Sequence, residues 1–253
     1  IDEIALKKGH GDFVTVVTSR LDSGKIQLLG VLANREKDTV KAFLSSIPNE
    51  LRKTLTTVCT DLYEGYINAA QEVFEDSVLI VADRFHVARL YRKAVDRLRI
   101  KEMRRLKKEL SEECYQELDN AMWIIRKKPE ELSDTDKVVI NKISEWAPTL
   151  ALAYVFSSQL TRIFDKPLTP SDAQWEIAAL ISLAREYHLD CFDALTEHMT
   201  VITNYFVARK NSGFVEGLNN KIKVLKRRCY GIFNRIHLFQ RISLDLGGYE
   251  QFA

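Results

Sequence analysis

Apolar and polar positions alternate over the first third of the chain and then change period. FVTVVTSRL (13–21) and KIQLLGVLA (25–33) are rich in β-branched and apolar residues, and the DSG between them is a hairpin turn signal. IDEIAL (1–6) reads as a shorter strand ahead of them. In DTVKAFLSSI (38–47) the spacing becomes helical, with Val40, Phe43, Leu44 and Ile47 on one side. LTTVCTD (55–61) and SVLIVAD (77–83) are strands again, separated by the helix GYINAAQEVF (65–74), and a long helix begins near His86. The predicted order is β-β-β-α-β-α-β. Three antiparallel strands followed by alternating units imply a mixed sheet with helices on its faces.

From about Val87 to Ala208 the strand pattern disappears. Helical segments are interrupted at KKPEELSD (127–134), WAP (146–148) and DKPLTPSD (165–172), and Thr169, Pro170, Ser171 and Asp172 form a helix start signal. From Ser212 to Leu246 two helices are expected around CYGIFN (229–234). The expected organisation is a discontinuous α/β core, residues 1–95 and 209–253, interrupted by an all-α insertion, residues 96–208.

A chain of 253 residues that is 46% hydrophobic is long enough for one large core or a core with a second small domain. No apolar run approaches the roughly 20 residues of a membrane span, so no membrane partner is expected. Four isolated cysteines without a CxxC pair, and no visible signal peptide, suggest buried thiols in a reducing cytoplasm. The first residue is not Met, which leads us to expect a longer parent protein. The net charge is only +2, but its distribution is uneven. From Arg84 to Lys108 the acids are Asp96 and Glu102 alone, and behind Glu216 come Lys221, Lys223, Lys226, Arg227 and Arg228 before the next acid. Each tract on its own reads as a solvated helix face. Together they could line a groove for a phosphate backbone.

Acids stand at the edges of the predicted strands: Asp2 in the first, Asp61 at the end of the fourth and Asp83 at the end of the fifth, with Glu216 near the start of a late helix. Each has a plain structural reading. Asp61 and Asp83 could cap the helices that follow, Asp2 could be an exposed acid, and Glu216 could favour the helix dipole. As a set they suggest more. Two-metal phosphoryl chemistry needs several carboxylates at one point, because hard Mg²⁺ or Mn²⁺ ions prefer oxygen ligands.

The strand order, the acids Asp2, Asp61 and Glu216, and the interrupting helices resemble the ribonuclease-H-like catalytic domain of DDE transposases. More narrowly, IDEIALKKGH, CTDLYEGY, VADRFHV and VEGLNNKIKVLKRRCYG resemble the bacterial ISL3 insertion-sequence family, the last motif being the most specific. The resemblance implies an α/β fold with a ribonuclease-H-like mixed five-stranded sheet. It implies Asp2, Asp61 and Glu216 as the catalytic and metal-holding triad, with Mg²⁺ or Mn²⁺ in a two-metal site. Asp83 and His86 match a D-x-x-H motif and would lie beside the site, in its outer shell or against DNA. Arg84, Asn220, Lys223, Lys226, Arg227 and Arg228 would contact DNA. The activity implied is phosphodiester hydrolysis at transposon ends, then transfer of the freed 3′-OH into target DNA. The partners would be both DNAs and further copies of the chain, as a homodimer or higher oligomer, in the bacterial cytoplasm and nucleoid. The zinc-binding and helix-turn-helix region of such proteins has no counterpart in the sequence.

In the late helix, Val215, Leu218, Ile222 and Leu225 form a core stripe, while Glu216, Asn220, Lys223 and Arg227 follow each other on an adjacent face. Trp123, Trp146 and Trp175 all fall in the insertion and are read as core residues, with base stacking, as in related transposases, the other reading. Two rival functions remain at this point: another ribonuclease-H-like nuclease such as a junction resolvase, and a catalytically inactive, domesticated DNA-binding protein.

Overall fold

The computed structural model describes residues 1–5, 13–21, 23–209, 213–229, 231–232 and 234–252, without the side chains of residues 208, 213–216 and 249–252. The chain runs through β1 (Asp2–Ala5), β2 (Phe13–Arg20), β3 (Ile26–Leu32), α1 (Lys37–Ser46), the single-turn α2 (Asn49–Arg52), β4 (Thr57–Thr60), α3 (Glu64–Phe74), β5 (Leu79–Ala82) and the long α4 (Arg84–Glu109). It continues through α5 (Glu112–Gln116), α6 (Ala121–Ile124), α7 (Asp134–Trp146), α8 (Pro148–Asp165), α9 (Pro170–Glu186), α10 (Met199–Thr203) and α11 (Tyr205–Ala208) to α12 (Gly213–Arg228) and α13 (Arg235–Phe252). Two compact units result: residues 1–84 with 209–253, and residues 85–208.

In the first unit all five expected strands form, but hydrogen bonds draw two ladders. β1, β2 and β3 are antiparallel, in that order, and β4 pairs with β5 in parallel. The Ile1 backbone nitrogen donates to the Cys59 carbonyl at 2.7 Å, which bridges the two ladders. The β2–β3 hairpin closes through Leu21 and Lys25, and Gly24 takes φ 83°, a left-handed conformation that glycine adopts without a Cβ clash.

Alternation along β2 divides its side chains between two environments. Val14 and Val16 join Ile4 in a core completed by Leu218, Ile222 and Leu225 of α12 and by Leu238 and Ile242 of α13. Thr15, of opposite parity, bonds to the buried Tyr66 of α3. The neighbouring α1 packs on α3 and on β3, where Gly30 leaves room for Phe43: a Cβ on Gly30 would lie 2.7 Å from that ring.

Among its described residues the second unit is entirely helical. The predicted breaks are capping sites. Ser133 and Asp136 form a capping box at the start of α7, Pro148 opens α8, and Thr169 accepts the Asp172 N–H at the start of α9. Ile143, Leu150, Leu160, Ile177, Phe192 and Leu195 are fully buried. The tryptophans correct the sequence reading. Trp123 and Trp175 are 57% and 73% exposed and Trp146 is half-buried, because the helical repeat turns smaller aliphatic side chains inward at their expense. No helix among the described residues is long and apolar enough to cross a membrane.

Candidate active site

The parallel ladder places two acids together. Its last register pair is Thr60 with Ala82, and the Asp83 N–H extends it by donating to the Thr60 carbonyl at 2.8 Å. Asp61 and Asp83 are therefore the next residues on adjacent strands, at the same carboxyl end, where chains leave a sheet and functional groups gather. Asp83 is buried, only 5% exposed, whereas Asp61 is half-buried. Asp61 Oδ1 accepts the Tyr63 N–H at 3.0 Å, an Asx turn that directs the chain into α3 and holds the carboxylate at the strand end.

Asp2 begins β1 and shares the parity of Ile4, so it belongs to the face that carries α12. Its Oδ1 accepts the Glu3 N–H at 2.7 Å, and its Oδ2 accepts Nδ2 of Asn219 at 2.5 Å. Hydrogen bonds to an ionised group contribute about 1.5–3 kcal/mol each, against about 0.5–1.5 for neutral pairs. The sequence pattern singles out the more exposed Asn220 and passes over Asn219. A signal for Asn219 exists all the same, since residue 219 stands four after Val215 and three before Ile222, on the inner arc of the helix, where a polar side chain is anomalous. Asn219 is 8% exposed, and its Oδ1 has no hydrogen-bond partner among the described residues.

Two of the acids act on one buried phenol. Burial raises the Tyr66 phenol well above its ordinary value; the Thr15 bond opposes this, and Asp61, Glu3 and Asp2 add to it. Asp2 and Asp61 thus both bear electrostatically on the Tyr66 phenol.

Glu216 lies in α12, one turn before Asn219, with its side chain outside the described residues. Among the described residues no group of three or more His, Cys, Asp or Glu side chains is assembled to hold a metal ion. Behind Glu216, Asn220, Lys223, Arg227 and Arg228 are exposed. Lys226 is partly buried and donates to the Ala5 carbonyl at 2.6 Å, tying α12 to the end of β1, and burial lowers its pKa. Arg84 is half-buried, and His86 packs edge-on against Phe85, with ring centroids 5.6 Å apart.

Comparison with known proteins gives the class to which this chain belongs, a transposase family. The chain belongs to the ISL3 family of DDE transposases, whose family model, described as transposase, matches residues 1–242. It is 25% identical to the transposase for insertion sequence element IS1001 of Bordetella parapertussis, over 98% of this chain and 60% of that protein. It is 24% identical to the transposase for insertion sequence element IS1557 of Mycobacterium tuberculosis, over 99% of this chain and 60% of that protein. The chain therefore spans about 60% of the length of the curated relatives it matches. No solved structure matches it.

Proposed function

We propose that the chain is the catalytic core of the transposase. It would hydrolyse a phosphodiester at a transposon end and direct the resulting 3′-OH into target DNA, working as a homodimer or higher oligomer on DNA in the bacterial cytoplasm. The observation that carries this reading is the pairing of Asp61 and Asp83 at one end of the parallel ladder, with Asp2 bonded to Asn219 of the helix that bears Glu216. The bond from Ile1 to Cys59 supports a ribonuclease-H-like sheet in which β1 and β4 are neighbours, giving the order β3-β2-β1-β4-β5. In this reading residues 1–95 and 209–253 form the core and 96–208 the insertion.

The donor set fits Mg²⁺ or Mn²⁺. Its members are carboxylate oxygens, the hard ligands these ions prefer, and beside them the Asn219 Oδ1 is buried without a partner among the described residues. Asp2, Asp61 and Glu216 would hold two such ions, which supply charge neutralisation on phosphoryl oxygens and a lowered pKa for bound water. The residues of the chain do the positioning. Tyr63 N–H and Glu3 N–H each fix one carboxylate oxygen, of Asp61 and Asp2 respectively. Asp83 and His86 serve as neighbours of the acids or of DNA. Asn220, Lys223, Arg227 and Arg228 offer donors to phosphates, joined by Arg84 and Lys226. Asp61→Asn removes one ligand charge with little change of shape. It should abolish cleavage of a duplex carrying a transposon end in Mg²⁺ or Mn²⁺ while DNA binding is kept or strengthened. Unchanged cleavage would exclude the metal role of Asp61, and a wild-type protein that binds without cleaving would favour the inactive, domesticated reading.

A further inference from the structure

The geometry points to Asn219 as the positioning residue for the Asp2 carboxylate. This inference rests on the reading of Asp2 as a metal ligand and assigns to α12 a role besides carrying Glu216. The amide has one possible orientation. Turning it over would set Oδ1 against the Asp2 carboxylate, so Nδ2 must face Asp2, and it lies 2.5 Å from Oδ2. With the Glu3 N–H on Oδ1, the carboxylate is gripped at both oxygens by donors from two elements, and Asn219 lies 217 positions from Asp2 in sequence. A bond kept only to pack helix on sheet would be expected to satisfy both ends of the amide, yet here the oxygen is buried without a donor among the described residues. The neighbours of Asn219 on either side of the helix, Leu218 and Ile222, already supply the apolar packing. An apolar residue at 219 would complete that core without the cost of an orphan oxygen. The polar side chain therefore serves the carboxylate, as outer-shell partners of metal ligands do elsewhere when they fix the orientation in which the ligand meets its ion.

Mn²⁺ binding by the intact protein, measured by titration calorimetry without DNA, tests this apart from activity. Removing an outer-shell partner of this kind costs about 10–100-fold in metal affinity. Asn219→Ala should weaken Mn²⁺ binding within that range, and Asn219→Gln, which keeps the donor on a longer arm, should recover part of it. Ile222→Val perturbs the same helix without touching Asp2 and should leave Mn²⁺ binding unchanged; it controls for loss of stability. If Asn219→Ala does not fold, the Gln variant alone decides, since a packing role predicts wild-type Mn²⁺ affinity in it and a positioning role predicts a measurable loss. Wild-type affinity in the folded Asn219 variants, with Asp61→Asn defective, would overturn the positioning role while sparing the metal site. Wild-type affinity in Asp61→Asn as well would mean that the metal reading itself fails.

Discussion

The Thr15 hydroxyl has one proton, and it goes to the Asn34 carbonyl at 2.9 Å, so Tyr66 must be the donor in the 2.7 Å bond between the two hydroxyls. This direction makes the two obvious substitutions unequal. Tyr66→Phe leaves a Thr15 oxygen that still donates to Asn34 and should cost about 1 kcal/mol. Thr15→Val strands both a buried phenol and a carbonyl, so its loss should approach the upper end of the roughly 1–3 kcal/mol seen for an unsatisfied buried group. Chemical denaturation of the two variants gives the order. Because burial raises the Tyr66 pKa from its ordinary value of 10.0, the folded state keeps its proton where the unfolded state begins to lose it. The stabilisation is full below about pH 10 and declines as pH rises beyond it. That part of the alkaline decline should vanish in Tyr66→Phe. Asp61 and Asp83 were legible in the sequence as the residues that end two apolar runs. The hydroxyl pair was not, since nothing in one sequence tells a strand threonine which tyrosine it will meet.

Among the elements, α12 has a buried apolar face and an exposed basic one. Leu218, Ile222 and Leu225 are buried, as the apolar spacing predicted, and Val215, the fourth member of the stripe, lies outside the described side chains. The basic residues divide in a way the spacing did not reveal. Lys221 pairs with Asp245 of α13 at 2.6 Å and Lys226 is tied to β1, which leaves Lys223 and Arg227 on the exposed side. Charge tells where a cation can be tolerated. It does not tell which cation will find a carbonyl or carboxylate brought up by a distant segment. Changing Lys223 and Arg227 together to Ala should weaken DNA binding about equally for all sequences, since bonds to phosphate carry no sequence information. The salt slope should fall by about 0.9 for each duplex phosphate that the variant no longer neutralises. Stability should move by no more than about 1 kcal/mol. Unchanged affinity and slope in a salt titration would mean that this face of α12 is merely solvated.

For the molecule as a whole, the sequence revealed where strands give way to helices but left open how the strands would join. β1 and β4 are short, four residues each, and the hydrogen bond from Ile1 to Cys59 that links the two ladders is something no periodicity could have shown. The two compact units have cores made of separate residues, Ile4, Val16 and Ile222 in one and Leu150, Leu160 and Phe192 in the other. Separate cores lead us to expect two unfolding transitions, and the tryptophans provide a means of assigning them. All three, Trp123, Trp146 and Trp175, lie in residues 85–208, so tryptophan fluorescence reports on that unit while circular dichroism reports on both. Ile222→Ala removes a fully buried side chain from the sheet unit and should cost about 2–5 kcal/mol there. It should shift a transition seen by circular dichroism and leave the fluorescence midpoint in place. Leu160→Ala, equally buried in the helical unit, should do the reverse. If both probes moved together in both variants, the chain would unfold as one cooperative body, and the division at residues 84 and 209 would describe its packing without describing its stability.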